Sequence, residues 1–126
     1  MKRALLVNDS KFESLILKDM LQKMNFLVEI ADEFDALYSM ERFEPHVVIV
    51  NYVMQQTSGD KLIRLMKAGM PRVKCLLSSN SNIRLSDFRG GYVDGIVHTP
   101  VSKFLLESAL ESIGEYTTFE EEEEEE

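Results

Sequence analysis

Where short apolar runs of this chain give way to polar side chains, they lead into amides and hydroxyls with a single carboxylate among them. Residues 4–7 run into Asn8 and Asp9, residues 47–50 into Asn51, residues 73–77 into Ser78, and residues 96–98 into Thr99. Of these five, only Asp9 carries a carboxylate, the group that serves both as an anionic nucleophile and as a charged oxygen ligand for a divalent cation. Asn51 follows the most continuous apolar run, and an amide there in place of a carboxylate is a poor nucleophile and an uncharged ligand. Ser78 and Thr99 bring hydroxyls, which exchange hydrogen bonds but carry no charge. Taken alone, an asparagine at the end of a strand is equally a turn or capping residue.

The elements that must position these side chains alternate in period. Residues 4–7 read as a first strand, followed by Phe12, Leu15, Ile16, Met20, Leu21 and Met24 at helical spacing, with Asn8, Asp9 and Ser10 supplying caps. Residues 26–30 alternate as a second strand. Asp32 opens a helix whose apolar face is Phe34, Leu37, Met40 and Phe43, closed by Pro45. The β-branched run at 47–50 predicts a central strand buried on both faces. Ser58 then caps a helix with Leu62, Leu65 and Met66 inward, ended by Gly69 and Pro71. Residues 73–77 and 96–98 make strands four and five, and Ser102 caps a last helix packing Leu106, Leu110 and Ile113. Between these two strands, residues 80–91 carry only a short helical pattern (Ile83, Leu85, Phe88), so that helix is expected to be short or mobile. The alternation predicts an α/β doubly wound fold, a parallel five-stranded sheet with helices on both faces.

Composition narrows the classes further. At 126 residues the chain fits one domain. Residues 120–126 are seven glutamates; without them, 15 of the 22 acidic side chains stand against 14 basic ones, so the folded part is near neutral. That balance argues against nucleic-acid binding by this chain alone. No apolar run approaches the ~20 residues of a spanning helix, and the apolar stretch after Lys2 and Arg3 is too short for a signal peptide; a cytoplasmic location is expected. The glutamate run repels itself and cannot bury apolar surface, which predicts a folded domain over 1–114 and an acidic, disordered tail over 115–126. The lone Cys75 lies within an apolar strand and reads as a buried hydrophobe. His46 and His98 read as strand or loop side chains. Neither a Gly-rich phosphate loop nor a Ser/His/Asp order is present.

Over residues 2–113 the chain resembles the receiver domain of bacterial two-component response regulators, a CheY-like, flavodoxin-like fold. The resemblance rests on Val7-Asn8-Asp9-Ser10 at the place of an acidic pair and on Val50-Asn51-Tyr52-Val53-Met54, with Gly59 eight residues after Asn51, at the place of the phosphorylated aspartate. Leu77-Ser78-Ser79 stands at the place of a hydroxyl residue, and Gly95-Ile96-Val97-His98-Thr99-Pro100 at that of an aromatic, a lysine and a cis proline. The resemblance implies a strand order of 2-1-3-4-5. It also implies a pocket in which an aspartate takes phosphate, further carboxylates help to hold Mg²⁺, and a lysine pairs with the phosphoryl group.

Carried over residue by residue, that pocket is degenerate. Asn51 replaces the nucleophile, Asn8 one of the acidic pair, and Thr99 the lysine; only Asp9 and Ser78 survive. An amide oxygen is a poor nucleophile and a neutral ligand, and losing the lysine removes a charge-assisted contact. The expectation is a pseudo-receiver: no enzyme, no resident metal or cofactor, acting in signal transduction by binding a protein partner or a second copy. The alternative is a divergent receiver that still accepts phosphate, with Asp9 as substitute acceptor. Ile96 stands where the resemblance implies a switching aromatic, and Phe88, Ile96 and Phe104 form the expected partner surface.

Overall fold

In a computed structural model, residues 1–117 are described. The apolar runs form β1 (Lys2–Val7), β2 (Phe26–Ala31), β3 (Val47–Asn51), β4 (Lys74–Ser79) and β5 (Gly95–His98). Between and after them lie the helices α1 (Lys11–Lys23), α2 (Ala36–Phe43), α3 (Gly59–Gly69) and α4 (Lys103–Ser112). All strand pairs are parallel, in the order β2-β1-β3-β4-β5. This is the expected doubly wound sheet, and a parallel sheet covered on both faces requires strands that are apolar on both sides. Accordingly Val47, Val48, Ile49 and Val50 are all buried.

Two cores result, one on each side of the sheet. Leu5, Val7, Val48, Val50 and Leu77 pack with Met40 of α2 and with Leu62, Ile63 and Met66 of α3. Ala4, Leu6, Val47, Ile49 and Leu76 pack with Leu17 and Leu21 of α1 and with Leu106 and Leu110 of α4. Ser10 and Ser102 cap α1 and α4 as expected, their hydroxyls accepting from the N–H groups of Glu13 and Leu105.

Several helix faces differ from the expectation. On α1 the inward residues are Ser14, Leu17 and Leu21, with Met24 buried just past its end, while Phe12, Leu15 and Ile16 are exposed. On α3 Ile63 is buried and Leu65 is exposed. Both helices have apolar residues on more than one side, so three- and four-residue spacing admits two phases, and the contact with the sheet selects one. Asp32 does not open α2: its Oδ1 accepts from the N–H groups of Phe34 and Asp35, making a turn that leaves Phe34 exposed and starts the helix at Ala36. Ser58 occupies the N-cap position of α3 without a side-chain cap bond. Between β4 and β5 the weak helical pattern yields only a 3₁₀ turn, Leu85–Asp87.

Chain contacts continue past residue 114. Glu115 pairs with Lys2 at 2.7 Å, and the Tyr116 ring lies against Phe26 with centroids 6.3 Å apart. Of the tail expected over 115–126, residues 115–117 are described, with these contacts, and 118–126 lie outside the described residues. Among the described residues no helix is long and apolar enough to cross a membrane.

Candidate functional site

Strand register brings the polar strand ends together. Val7 pairs with Val50, Asn51 with Ser78, and Ser79 with His98. Asn8, Asn51, Ser78 and Thr99, with Asp9 beside them, therefore share the carboxyl edge of the sheet. Backbone bonds fix the edge: Tyr52 N–H donates to Ser78 O and Thr99 N–H to Ser79 O, each at 2.8 Å. Thr99 precedes a cis proline, Pro100.

The two amides are tied into the scaffold. Asn8 is buried; its Oδ1 accepts from Ser10 N–H at 2.9 Å and its Nδ2 donates to Glu13 Oε1 at 3.3 Å. Asn51 Nδ2 donates to Val53 O at 2.9 Å, folding the side chain back onto its own loop. That loop is closed by a Val53–Ser58 bridge and by Gly59 N–H donating to Tyr52 O. Gly59 is required by close approach: a Cβ there would lie 2.3 Å from Asn51 O and 2.8 Å from Leu77 Cδ1.

The remaining three differ in exposure. Asp9 is exposed, and its carboxylate has no hydrogen-bond or ion-pair partner among the described residues. Ser78 is buried, and its Oγ has no partner among the described residues. Thr99 lines a groove with Phe12, Glu13, Ile16, Pro100 and Val101, between α1 and the start of α4.

On the β2 side, Asp9, Asp32, Glu33 and Asp35 with Lys11 and Asn8 surround a depression. Two of these carboxylates already serve the backbone: Asp32 holds the turn before α2, and Glu33 accepts from the N–H groups of Gln55 and Gln56. Glu33 thereby ties the loop after β2 to the loop after β3. The sequence reasoning missed Glu33 and Glu13. Glu13 carries a visible signal, since Ser10 and Glu13 have the spacing of a capping box, although its carboxylate reaches Asn8 instead. No local pattern announces the reach of Glu33.

Among the described residues no three His, Cys, Asp or Glu side chains gather as metal ligands would. The donor set of Asn8, Asp9 and Asn51 fits Mg²⁺ poorly: it holds one carboxylate, Asn8 Oδ1 already accepts from Ser10 N–H, and Asn51 offers a neutral amide oxygen.

Phe88, Ile96 and Phe104 are not equivalent. Phe88 meets Tyr52 edge to face at 5.6 Å, and Phe88 and Ile96 are half-buried against the α2/α3 core. Phe104 is 72% exposed, on the helix that covers the other face of the sheet. Cys75 is buried, which pushes its thiol up to about 12. His46 Nδ1 accepts from Arg3 N–H at 3.0 Å, and burial, followed by the charges of Arg3 and Lys2, lowers its pKa. His98 Nε2 lies 2.9 Å from Ile83 O.

No protein-family model matches the sequence, and no curated protein does. In structure the chain is similar to CheY-like response-regulator receiver domains. Chemotaxis protein CheY4 of Vibrio cholerae superposes with a TM-score of 0.81 at 19% identity, covering 90% of this chain and 98% of that one. A receiver domain from Methylobacillus flagellatus gives 0.76 at 23% identity, over 90% and 98% of the two chains. The receiver domain of an HD-domain protein from Pseudomonas fluorescens Pf-5 gives 0.79 at 20%, over 96% and 92%. The fold is thus the receiver fold, reached with little shared sequence.

Proposed function

We propose that the chain is a signalling module of the receiver type that works by binding a protein partner, or a second copy of itself, without accepting phosphate at Asn51. The observation that carries this reading is the state of the pocket amides. Asn51 Nδ2 is spent on Val53 O and both ends of the Asn8 amide on the β1–α1 turn. At the end of β5 Thr99 stands in place of a lysine, and of Asn8, Asp9 and Asn51 only Asp9 is a carboxylate. The two amides are instead held by hydrogen bonds with Ser10 N–H, the Glu13 carboxylate and Val53 O.

Recognition then falls to shape. Phe104 and Leu105, exposed at the start of α4, give such a surface an apolar centre. Phe88 and Ile96, half-buried, would contribute from the rim of β5.

Incubation with a small phosphodonor and Mg²⁺, followed by intact-mass measurement, tests the reading. The expected result is an unchanged mass. A gain of one acid-labile phosphoryl group that persists in Asp9→Asn defeats it. A gain lost in Asp9→Asn establishes the second reading, favoured by the exposed, unpartnered Asp9 carboxylate, in which that residue is the acceptor.

A further inference from the structure

We infer that the depression between α3 and the segment leading into β5 binds a small phosphate ester with free hydroxyls, of the size of a pentose phosphate. Its wall carries Lys61 and Arg64 from α3 and Arg89 from the segment between β4 and β5, with the Tyr92 ring beside them. All three cations are exposed, and among the described residues none has an acidic partner. Two carboxylates, Asp60 and Asp87, share the depression. Asp87 is already engaged, its Oδ2 accepting from Arg84 N–H at 2.9 Å. Asn8, Asp9, Asn51, Ser78 and Thr99 do not line it.

Arg64 and Asp60 set the chemistry. Four residues apart on one helix, they have the spacing of an ion pair. The Arg64 guanidinium instead lies 4.8 Å from the centroid of the Tyr92 ring, and Asp60 Oδ1 is buried with no hydrogen-bond partner among the described residues. The ring is itself held in place: Gly90, at φ +96°, packs so closely that a Cβ there would lie 2.7 Å from Tyr92 Cε2. A guanidinium stacked on an aromatic face keeps its N–H donors free in their own plane, where they match phosphate oxygens in pairs. A phosphate monoester carries nearly two negative charges at neutral pH, which suits three cations better than a single carboxylate does. Asp60 Oδ1 asks for the opposite partner, because a buried acceptor needs a donor. A phosphate on a hydroxylated carbon frame supplies both, its oxygens to Arg64, Lys61 and Arg89 and a hydroxyl to Asp60. The cavity measures about 240 Å³, below the roughly 300–1,000 Å³ of sites that enclose drug-sized ligands, so a pentose phosphate fits it better than a dinucleotide.

Titration of the isotope-labelled full chain with ribose-5-phosphate, in the absence of Mg²⁺, tests the inference. The amides of Lys61, Arg64, Arg89 and Tyr92 should shift saturably, with inorganic phosphate binding about tenfold more weakly and ribose alone not at all. Arg64→Gln should weaken the ester by about tenfold or more, and Tyr92→Leu should do the same while leaving every cation in place, because it releases the guanidinium. Asp60→Ala should weaken the ester yet strengthen inorganic phosphate, since the hydroxyl acceptor and a like charge leave together. Equal affinity for the ester and inorganic phosphate, shifts centred on Asn51 and Ser78, or no saturable shift overturns the inference. A phosphoserine peptide that binds these residues more tightly than ribose-5-phosphate also overturns it, because the site then reads a protein. None of these outcomes depends on whether Asn51 or Asp9 accepts phosphate.

Discussion

Asn51 and Ser78 stand side by side across the β3–β4 ladder, one with its amide turned onto Val53 O, the other with a buried hydroxyl that finds no partner among the described residues. The pair sits at the carboxyl edge where a doubly wound sheet presents its ligands, and neither member carries a charge. The pocket is thus settled on one side and under-satisfied on the other.

Asn51→Asp removes the donor to Val53 O and sets a carboxylate against that carbonyl, with Asp9 in the same edge. The variant should lose about 1–3 kcal/mol at neutral pH, read from urea unfolding. Millimolar Mg²⁺ should restore part of the loss in the variant and leave the parent unchanged. Protonation of the new carboxylate returns a donor, so the penalty should shrink as pH falls through ~4.

Gly59→Ala places a methyl group into Asn51 O and Leu77 Cδ1. Because the first obstacle is backbone, the loop must shift, and the expected cost is about 1–3 kcal/mol. Chemical shifts of Asn51 and Tyr52 should move with it, and unchanged shifts would mean that the loop has more room than the geometry allows.

Asp94 accepts from both Lys67 and the backbone of Cys75, and the Lys67 and Asp94 side chains are only 14% and 19% exposed. Asp94→Asn should therefore cost about 1–3 kcal/mol, an ion pair of this burial being worth more than a surface one and the Lys67 ammonium being left without its partner. The loss should persist at high salt, unlike that of Lys23→Ala, whose pair with Asp19 is exposed.

Cys75 gives a pH dependence with a definite sign. Its thiol sits near 12 in the folded chain against about 8.5 in an unfolded one. Between these values the unfolded state has released a proton that the folded state keeps. Stability from this group is complete below the unfolded value and is lost as pH rises through that window toward 12. Cys75→Ala should flatten the alkaline limb, and alkylation of the parent near pH 8 should proceed only as fast as it unfolds.

The sequence was most readable where one physical demand dominated. The strand of Val47 to Val50 could hardly be anything else, and Asn8, Asn51, Ser78 and Thr99 converge because each follows its own strand in a parallel sheet. Helix faces were less readable. Phe12, Leu15 and Ile16 satisfy helical spacing as well as Leu17 and Leu21 do, and only packing against Ala4 and Leu6 decides between them. The segment before β5 has apolar residues for a helix, yet Gly90 and Gly91 at positive φ and the Asp87 carboxylate accepting from Arg84 N–H leave a single 3₁₀ turn. Glu33 reaches the loop 22 residues ahead of it, a contact that no local pattern encodes.

The central claim, a receiver fold whose pocket no longer binds a phosphoryl group, is tested most directly by titrating the isotope-labelled chain with beryllofluoride and Mg²⁺ while following the backbone amides. The account predicts that Asn51, Tyr52, Ser78 and Thr99 stay where they are at every concentration. Saturable shifts at these four amides, requiring both components, would contradict it.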